Sequence, residues 1–165
     1  MILVKKILVA TDFSEPSDQA LAYGRELART FGAQLIVAHV IQNVKAQAYG
    51  GPEAIVYSPD LQRELEEVAR RQLERLLTDE DHEQLRAVAL VLVGNNAAAA
   101  LVEYARNYAV DLIVTGTHGR GAVAQLLMGS VAERVVRTAP CPVLTVRYPE
   151  HDFLRPDALV AVAKG

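Results

Sequence analysis

Two short stretches of this chain have the residue types and spacing to do chemistry: Gly116-Thr117-His118-Gly119 and Gly129-Ser130, with nine residues between Gly119 and Gly129. An apolar run, Asp111-Leu-Ile-Val-Thr115, precedes the first and reads as a buried strand; Ser130-Val-Ala-Glu-Arg-Val-Val136 follows the second and reads as the opening of a helix. Glycine has no Cβ, so it lets backbone N–H groups turn toward a ligand and lets the ligand come close. A helix N-terminus adds unpaired donors and partial positive charge. Glycines after a strand and before a helix are therefore parts for holding a polyanion, of which a nucleotide phosphate is the simplest. The stretch is not a Walker A loop, because no Gly-Lys-Ser/Thr follows, and the three-glycine dinucleotide spacing does not occur after the first strand.

Other side chains near these glycines carry sharper and plainer readings. Asp12 stands just past the first strand; beside phosphate oxygens a bare carboxylate is costly, so it either meets ribose hydroxyls, helps hold a bridging Mg²⁺, or simply caps the next helix near Ser14. Arg120 is the cation of the glycine loop, placed for phosphate or for solvent. Ser130 is a phosphate donor or a capping hydroxyl worth about 1 kcal/mol. His118 reads as a hydrogen-bond donor rather than a base, since no Ser-His-Asp or Cys-His arrangement surrounds it. His39 reads as structural, and His82 and His151 as solvated. Four histidines without ligand spacing do not make a zinc site, and no direct metal ligand is expected beyond Asp12 through Mg²⁺. Cys141, between Pro140 and Pro142, reads as a small buried hydrophobe.

The elements that must position these residues alternate along the chain. Lys5–Thr11 reads as a first strand, and Ser14-Glu15-Pro16 as a helix start with Leu21, Ala28 and Phe31 toward the core and Gly32 as its stop. Gln34–Val40 is a second strand. Gly50, Gly51, Pro52 and Pro59 make 42–59 a long loop. From Asp60 a helix repeats Leu61, Leu65, Val68, Gln72 or Leu73, and Leu76 at helical spacing, with Arg63, Glu64, Glu66, Glu67, Arg70 and Arg71 on a solvated face. Ala87–Val93, without polar alternation, reads as a strand covered on both faces. Gly94-Asn95-Asn96 opens a helix through Leu101, Val102, Ala105 and Tyr108, and Pro142–Arg147 is a fifth strand. This is an α/β chain: a single three-layer α/β/α domain over 1–147 with a five-stranded, mostly parallel sheet, and a tail over 148–165.

Composition narrows the function classes. At 165 residues, 51% hydrophobic and 22% charged, the chain has enough apolar material for one good core. A net charge of −3 offers no general attraction to nucleic acid or anionic membrane, so a phosphate must be held by local donors. No apolar run is long enough to span a bilayer, no leader-like segment stands at the start, and a single cysteine fits a reducing cytoplasm.

From Lys5 to Arg147 the chain resembles the universal stress proteins, in particular their ATP-binding branch. The resemblance rests on Ile7-Leu-Val-Ala-Thr-Asp12, Ala38-His39-Val40, Gly116-Thr-His-Gly119 with Gly129-Ser130, and Ala139-Pro-Cys-Pro-Val-Leu144. It implies a Rossmann-like sheet of order 3-2-1-4-5, with strands one and four side by side. It also implies a homodimer through the last strand, 142–147. Carried over by position, it implies that Ala10 and Val40 line the adenine, and that Asp12 meets the ribose with Thr11 beside it. Gly116, His118, Gly119 and Arg120 would wrap ribose and phosphates, and Gly129, Ser130 and Val131 would meet the phosphates. The tail beyond Arg147 has no counterpart in the resemblance, and the 42–59 loop falls where the family is too variable to assign a role.

Three functions follow. The first is a nucleotide-sensing module that binds ATP (or AMP or ADP) with Mg²⁺ and signals to a protein partner under stress. The second is a slow ATPase or an adenylyl-transferring enzyme; its elements, His-Ile-Gly-His, Lys-Met-Ser-Lys-Ser or Ser-Gly-Gly-x-Asp, do not occur in the chain. The third is an interaction protein that carries the loop without using it.

Overall fold

The computed structural model describes residues 1–44, 59–117 and 128–147. Strand β1 (Lys6–Ala10) leads through helix α1 (Glu15–Phe31) to β2 (Gln34–Ile41). Helices α2 (Pro59–Leu76) and α3 (Asp79–Leu85) lead to β3 (Val88–Val93). Helix α4 (Ala97–Asn107) then leads to β4 (Leu112–Gly116), and α5 (Ser130–Thr138) to β5 (Val143–Val146). All pairings are parallel and the order is β3-β2-β1-β4-β5, as the resemblance implies. The chain winds outward from β1 to β3, crosses back to β4 and ends at β5. Connections therefore diverge between β1 and β4, the point of the carboxyl edge at which open α/β sheets bind their ligands.

Local chemistry explains the helix limits. Ser14 is the N-cap of α1 in extended backbone, Pro16 occupies its first turn, and Glu15 and Asp18 lie at the positive end of the helix dipole. Gly32 closes α1 in the left-handed region at φ 63°, where its N–H reaches the last carbonyls. Asn96 caps α4 by accepting the Ala99 N–H at 3.0 Å.

The sheet is covered on both faces. On one side Ile7, Val9, Leu35, Val37 and Val114 pack under Ala20, Leu21 and Ala28 of α1, Leu73 of α2 and Leu85 of α3. On the other, Leu8, Ile36, Ala38 and Ile113 pack under Ala98, Leu101, Val102 and Ala105 of α4 and Val135 of α5. The approach of α1 to β1 depends on Gly24, where a Cβ would stand 2.3 Å from Val9 Cγ2.

Several expectations are corrected. Phe31 is exposed at 43% and Tyr108 at 56%, because each ends its helix beyond the sheet's cover; Tyr108 stacks on Tyr104 instead. β3 stands at one edge of the described sheet and its two end residues are exposed, but both its faces are covered as expected: Ala89 and Val91 pack against the cluster under α1, α2 and α3, and Leu90 and Leu92 against the one under α4 and α5. Helix α2 buries Gln62, Ala69 and Leu73, while Leu65 and Val68 face outward. Gln62 is tolerated inside because its Oε1 accepts the Val44 N–H at 3.0 Å. Helix α3 had no sequence expectation; Thr78 and Asp81 cap it reciprocally. His82 is exposed, as expected, with Nδ1 3.2 Å from the Ala87 carbonyl and Nε2 3.6 Å from Glu74. Of the expected 42–59 loop, residues 45–58 lie outside the described residues, as does the 148–165 tail, and Pro59 is the first residue of α2.

Candidate functional site

Those residues of the expected site that the structure describes lie at the carboxyl edge of β1, β2 and β4. Ala10 ends β1 and Val40 lies near the end of β2. Both are part-buried against the cluster under α4 and α5, so they share the sheet face that carries α5. Thr117, one residue past β4, donates its N–H to Val146 at 2.8 Å and accepts the N–H of Gly129 at its carbonyl. One buried residue thus ties the ends of β4 and β5 to the start of α5.

Gly129 is the N-cap of α5, in extended backbone at φ −70° and ψ 154°. It has no side chain to accept the first-turn N–H groups, and no side-chain cap bond forms there. Its carbonyl takes the Glu133 N–H at 2.9 Å and begins the helix ladder. Ser130 and Val131 follow in the first turn, both exposed. Donors left without a side-chain cap, at the positive end of a helix and beside a strand terminus, suit an anion.

The β1–α1 corner is built differently. Thr11 is buried and turned to the α1 side, where its Oγ1 accepts the Phe13 N–H at 3.0 Å and pairs with Ser17 Oγ at 3.0 Å. The hydroxyl expected beside a ribose is thus engaged in shaping the loop. Asp12 Oδ1 accepts the Ser14 N–H at 3.2 Å and the Ser14 hydroxyl, so the capping geometry left open by the sequence is formed. Ser17 completes it, taking the Ser14 N–H at 3.1 Å and donating to the Ser14 carbonyl at 2.8 Å. The corner is electronegative. Burial raises the Asp18 carboxyl above its ordinary value and the charges of Asp12 and Glu15 raise it further, against Arg25.

Sequence reasoning passed over Phe13, which holds φ 63° without being glycine. That conformation costs about 1 kcal/mol or more. It is held by the Thr11 bond and by the ring of His39, whose centroid is 4.5 Å away. His39 in turn brings Nδ1 within 2.8 Å of the Thr11 carbonyl, a structural role as expected, and locks the end of β1 to the end of β2. A bulky residue directly before a Ser-Glu-Pro helix start gave no signal of a left-handed turn.

Gly116 has a different reason to be glycine than the sequence suggested. A Cβ there would stand 2.9 Å from the Pro16 carbonyl oxygen and 3.1 Å from its carbon, so the missing side chain admits the first turn of α1. Ser130, Val131, Gly129, Ala10, Val40, Asp12 and Thr11 lie at one edge of the sheet, whereas His118, Gly119 and Arg120 fall outside the described residues. Among the described residues, no group of three His, Cys, Asp or Glu could hold a metal ion. No described helix is long and apolar enough to cross a membrane. Cys141 packs against the α4–α5 cluster, where burial first, and then Asp111, pushes its thiol above the ordinary value. It is poorly suited to be a nucleophile.

Comparison with known proteins agrees with this architecture. The family model described as "Universal stress protein family" matches residues 3–147. A universal stress protein of Thermus aquaticus is 36% identical over 157 residues, covering 88% of this chain and all (100%) of the relative. The solved structure of MJ0577, a universal stress protein of Methanocaldococcus jannaschii, superposes with a TM-score of 0.70 at 27% identity, covering 90% of this chain and 99% of the other. A universal stress protein of Archaeoglobus fulgidus, solved in complex with dAMP, shares the fold at a TM-score of 0.56 and 22% identity, over 88% of this chain and 99% of that one. Motif, sheet order and sequence similarity over nearly the whole length converge: the chain belongs to the universal stress protein family.

Proposed function

We propose that this chain is a nucleotide-sensing module of the stress response. It binds ATP with Mg²⁺ at the carboxyl edge of the sheet between β1 and β4, and signals the bound state to a protein partner. The start of α5 carries the reading: an N-cap glycine without a side-chain acceptor, held beside the end of β4 by the Thr117 carbonyl. In this reading Gly129, Ser130 and Val131 meet the phosphates, and Gly116, His118, Gly119 and Arg120 enclose them and the ribose. Ala10 and Val40 line the adenine on the face that carries α5. Asp12, with Thr11 behind it, takes ribose hydroxyls or a phosphate-bound Mg²⁺, whose positive charge suits the electronegative corner that raises Asp18. The dAMP complex of the Archaeoglobus relative supports an adenine ligand. The module acts in the cytoplasm as a homodimer through 142–147, where, among the described residues, β5 pairs only with β4 and lies at the edge of the sheet.

Titration calorimetry with Mg-ATP, ADP and AMP tests the reading, and Ser130→Asp separates binding from folding. A carboxylate at that exposed position favours the helix N-terminus by about 0.5 kcal/mol. It also repels phosphate, so ATP affinity falls at least about tenfold while the melting temperature holds or rises. Absence of heat at millimolar nucleotide with the native chain overturns the proposal. Equal affinity of the native chain and Ser130→Asp removes α5 from it.

A further inference from the structure

We propose that the outward face of α2 is a self-complementary docking surface for the α2 helix of a second copy of this chain. At 3.6 residues per turn Asp60, Glu64, Glu67, Val68, Arg71 and Arg75 fall along one strip, and all six are exposed. The strip is acidic in its first half and basic in its second. Val68, 54% exposed, stands at its middle with Leu65 alongside, above a shallow groove of about 440 Å³ lined by Arg63, Glu64, Glu67, Val68 and Arg71.

An antiparallel copy related by a two-fold axis between Glu67 and Val68 sets Glu64 opposite Arg71 and Asp60 opposite Arg75. Symmetry repeats each pairing, and the two Val68 side chains meet at the axis. A parallel copy would oppose like charges along the whole strip. Within the chain Arg71 Nε already holds Glu67 at 3.0 Å, and a guanidinium with five donors can serve a second carboxylate as well. The helix dipole favours acid before base too, but it gives no reason for an exposed valine and leucine amid those charges. One helix face covers less than the roughly 800 Å² per partner of a standard interface, so pairing through α2 is weak and grows with concentration. It is separate from an association along β5 and would join such dimers into larger assemblies.

The experiment uses the full chain with Cys141→Ser and a probe thiol at Val68→Cys, near the proposed axis. Under mild oxidation this chain is expected to form disulfide-linked pairs much faster than a control with Glu103→Cys, which is exposed on α4. Adding Glu64→Arg or Arg71→Glu to the Val68→Cys chain is expected to slow pairing roughly fivefold each. A one-to-one mixture of those two variants, told apart by mass, is expected to recover it as mixed pairs, because the introduced arginine of one copy then faces the introduced glutamate of the other. Linking at position 68 no faster than the control, as when another segment of the same chain covers α2, overturns the proposal. So does a mixture that links as slowly as its components.

Discussion

Asp81 shows how one buried carboxylate sets an acid limit. Its side chain is 1% exposed and meets Arg25 through Nε at 3.0 Å and Nη2 at 2.8 Å, while its Oδ2 takes the Thr78 N–H at 2.9 Å. Desolvation pushes the carboxyl up, but the bonds from Arg25 and Thr78 outweigh it and hold it below the ordinary 3.8. A depressed folded value means that the pair stabilises the protein above the unfolded value, and that this contribution is lost as pH falls through the folded one. Asp81→Ala leaves Arg25 without its partner and is expected to cost about 3 kcal/mol at pH 7. The gap from the native chain should shrink as the pH falls well below 4, and urea unfolding at several pH values measures both. Gly116→Ala forces a Cβ onto the Pro16 backbone, which cannot swing aside as a side chain would. A loss of about 2 kcal/mol is expected even without nucleotide; an unchanged melting temperature would show that the space at Gly116 is open.

Helices reach the candidate site only through a few close approaches. Helix α1 lies against β1 at Gly24, where the nearest atom belongs to fully buried, β-branched Val9. Gly24→Ala is therefore expected to destabilise by about 2 kcal/mol and to shift the β1–α1 corner with it. Adding Val9→Ala to that variant should recover part of the loss, since it removes the clashing methyl; the double-mutant cycle reads the coupling. The Thr11–Ser17–Ser14 bonds are a folding device placed next to the candidate ligand surface, so Ser17→Ala should cost about 1 kcal/mol in stability before any effect on binding.

Across the whole molecule, binding and stability are linked. If Mg-ATP binds at the sheet edge between β1 and β4, a concentration one hundred times its dissociation constant adds about 2.7 kcal/mol. For a domain of this size that is a rise in melting temperature of about 5–10 °C. Thermal unfolding without nucleotide, with Mg-ATP, with ATP and EDTA, and with GTP reads this directly; a melting point with Mg-ATP equal to that without nucleotide would leave the sheet edge without an adenine ligand.

The order of elements, the caps at Ser14, Gly32 and Asn96, and the position of the glycines between β4 and α5 were legible in the residues themselves. Each depends on backbone chemistry acting over a few neighbours, and such chemistry leaves a local trace. The outward turn of Leu65 and Val68, the burial of Gln62, the left-handed Phe13 and the Pro16 contact behind Gly116 left no such trace. Each was decided only when elements distant in sequence came within packing distance, because which face of a helix is buried, or what fills the space beside a glycine, is a property of the neighbour as much as of the residue.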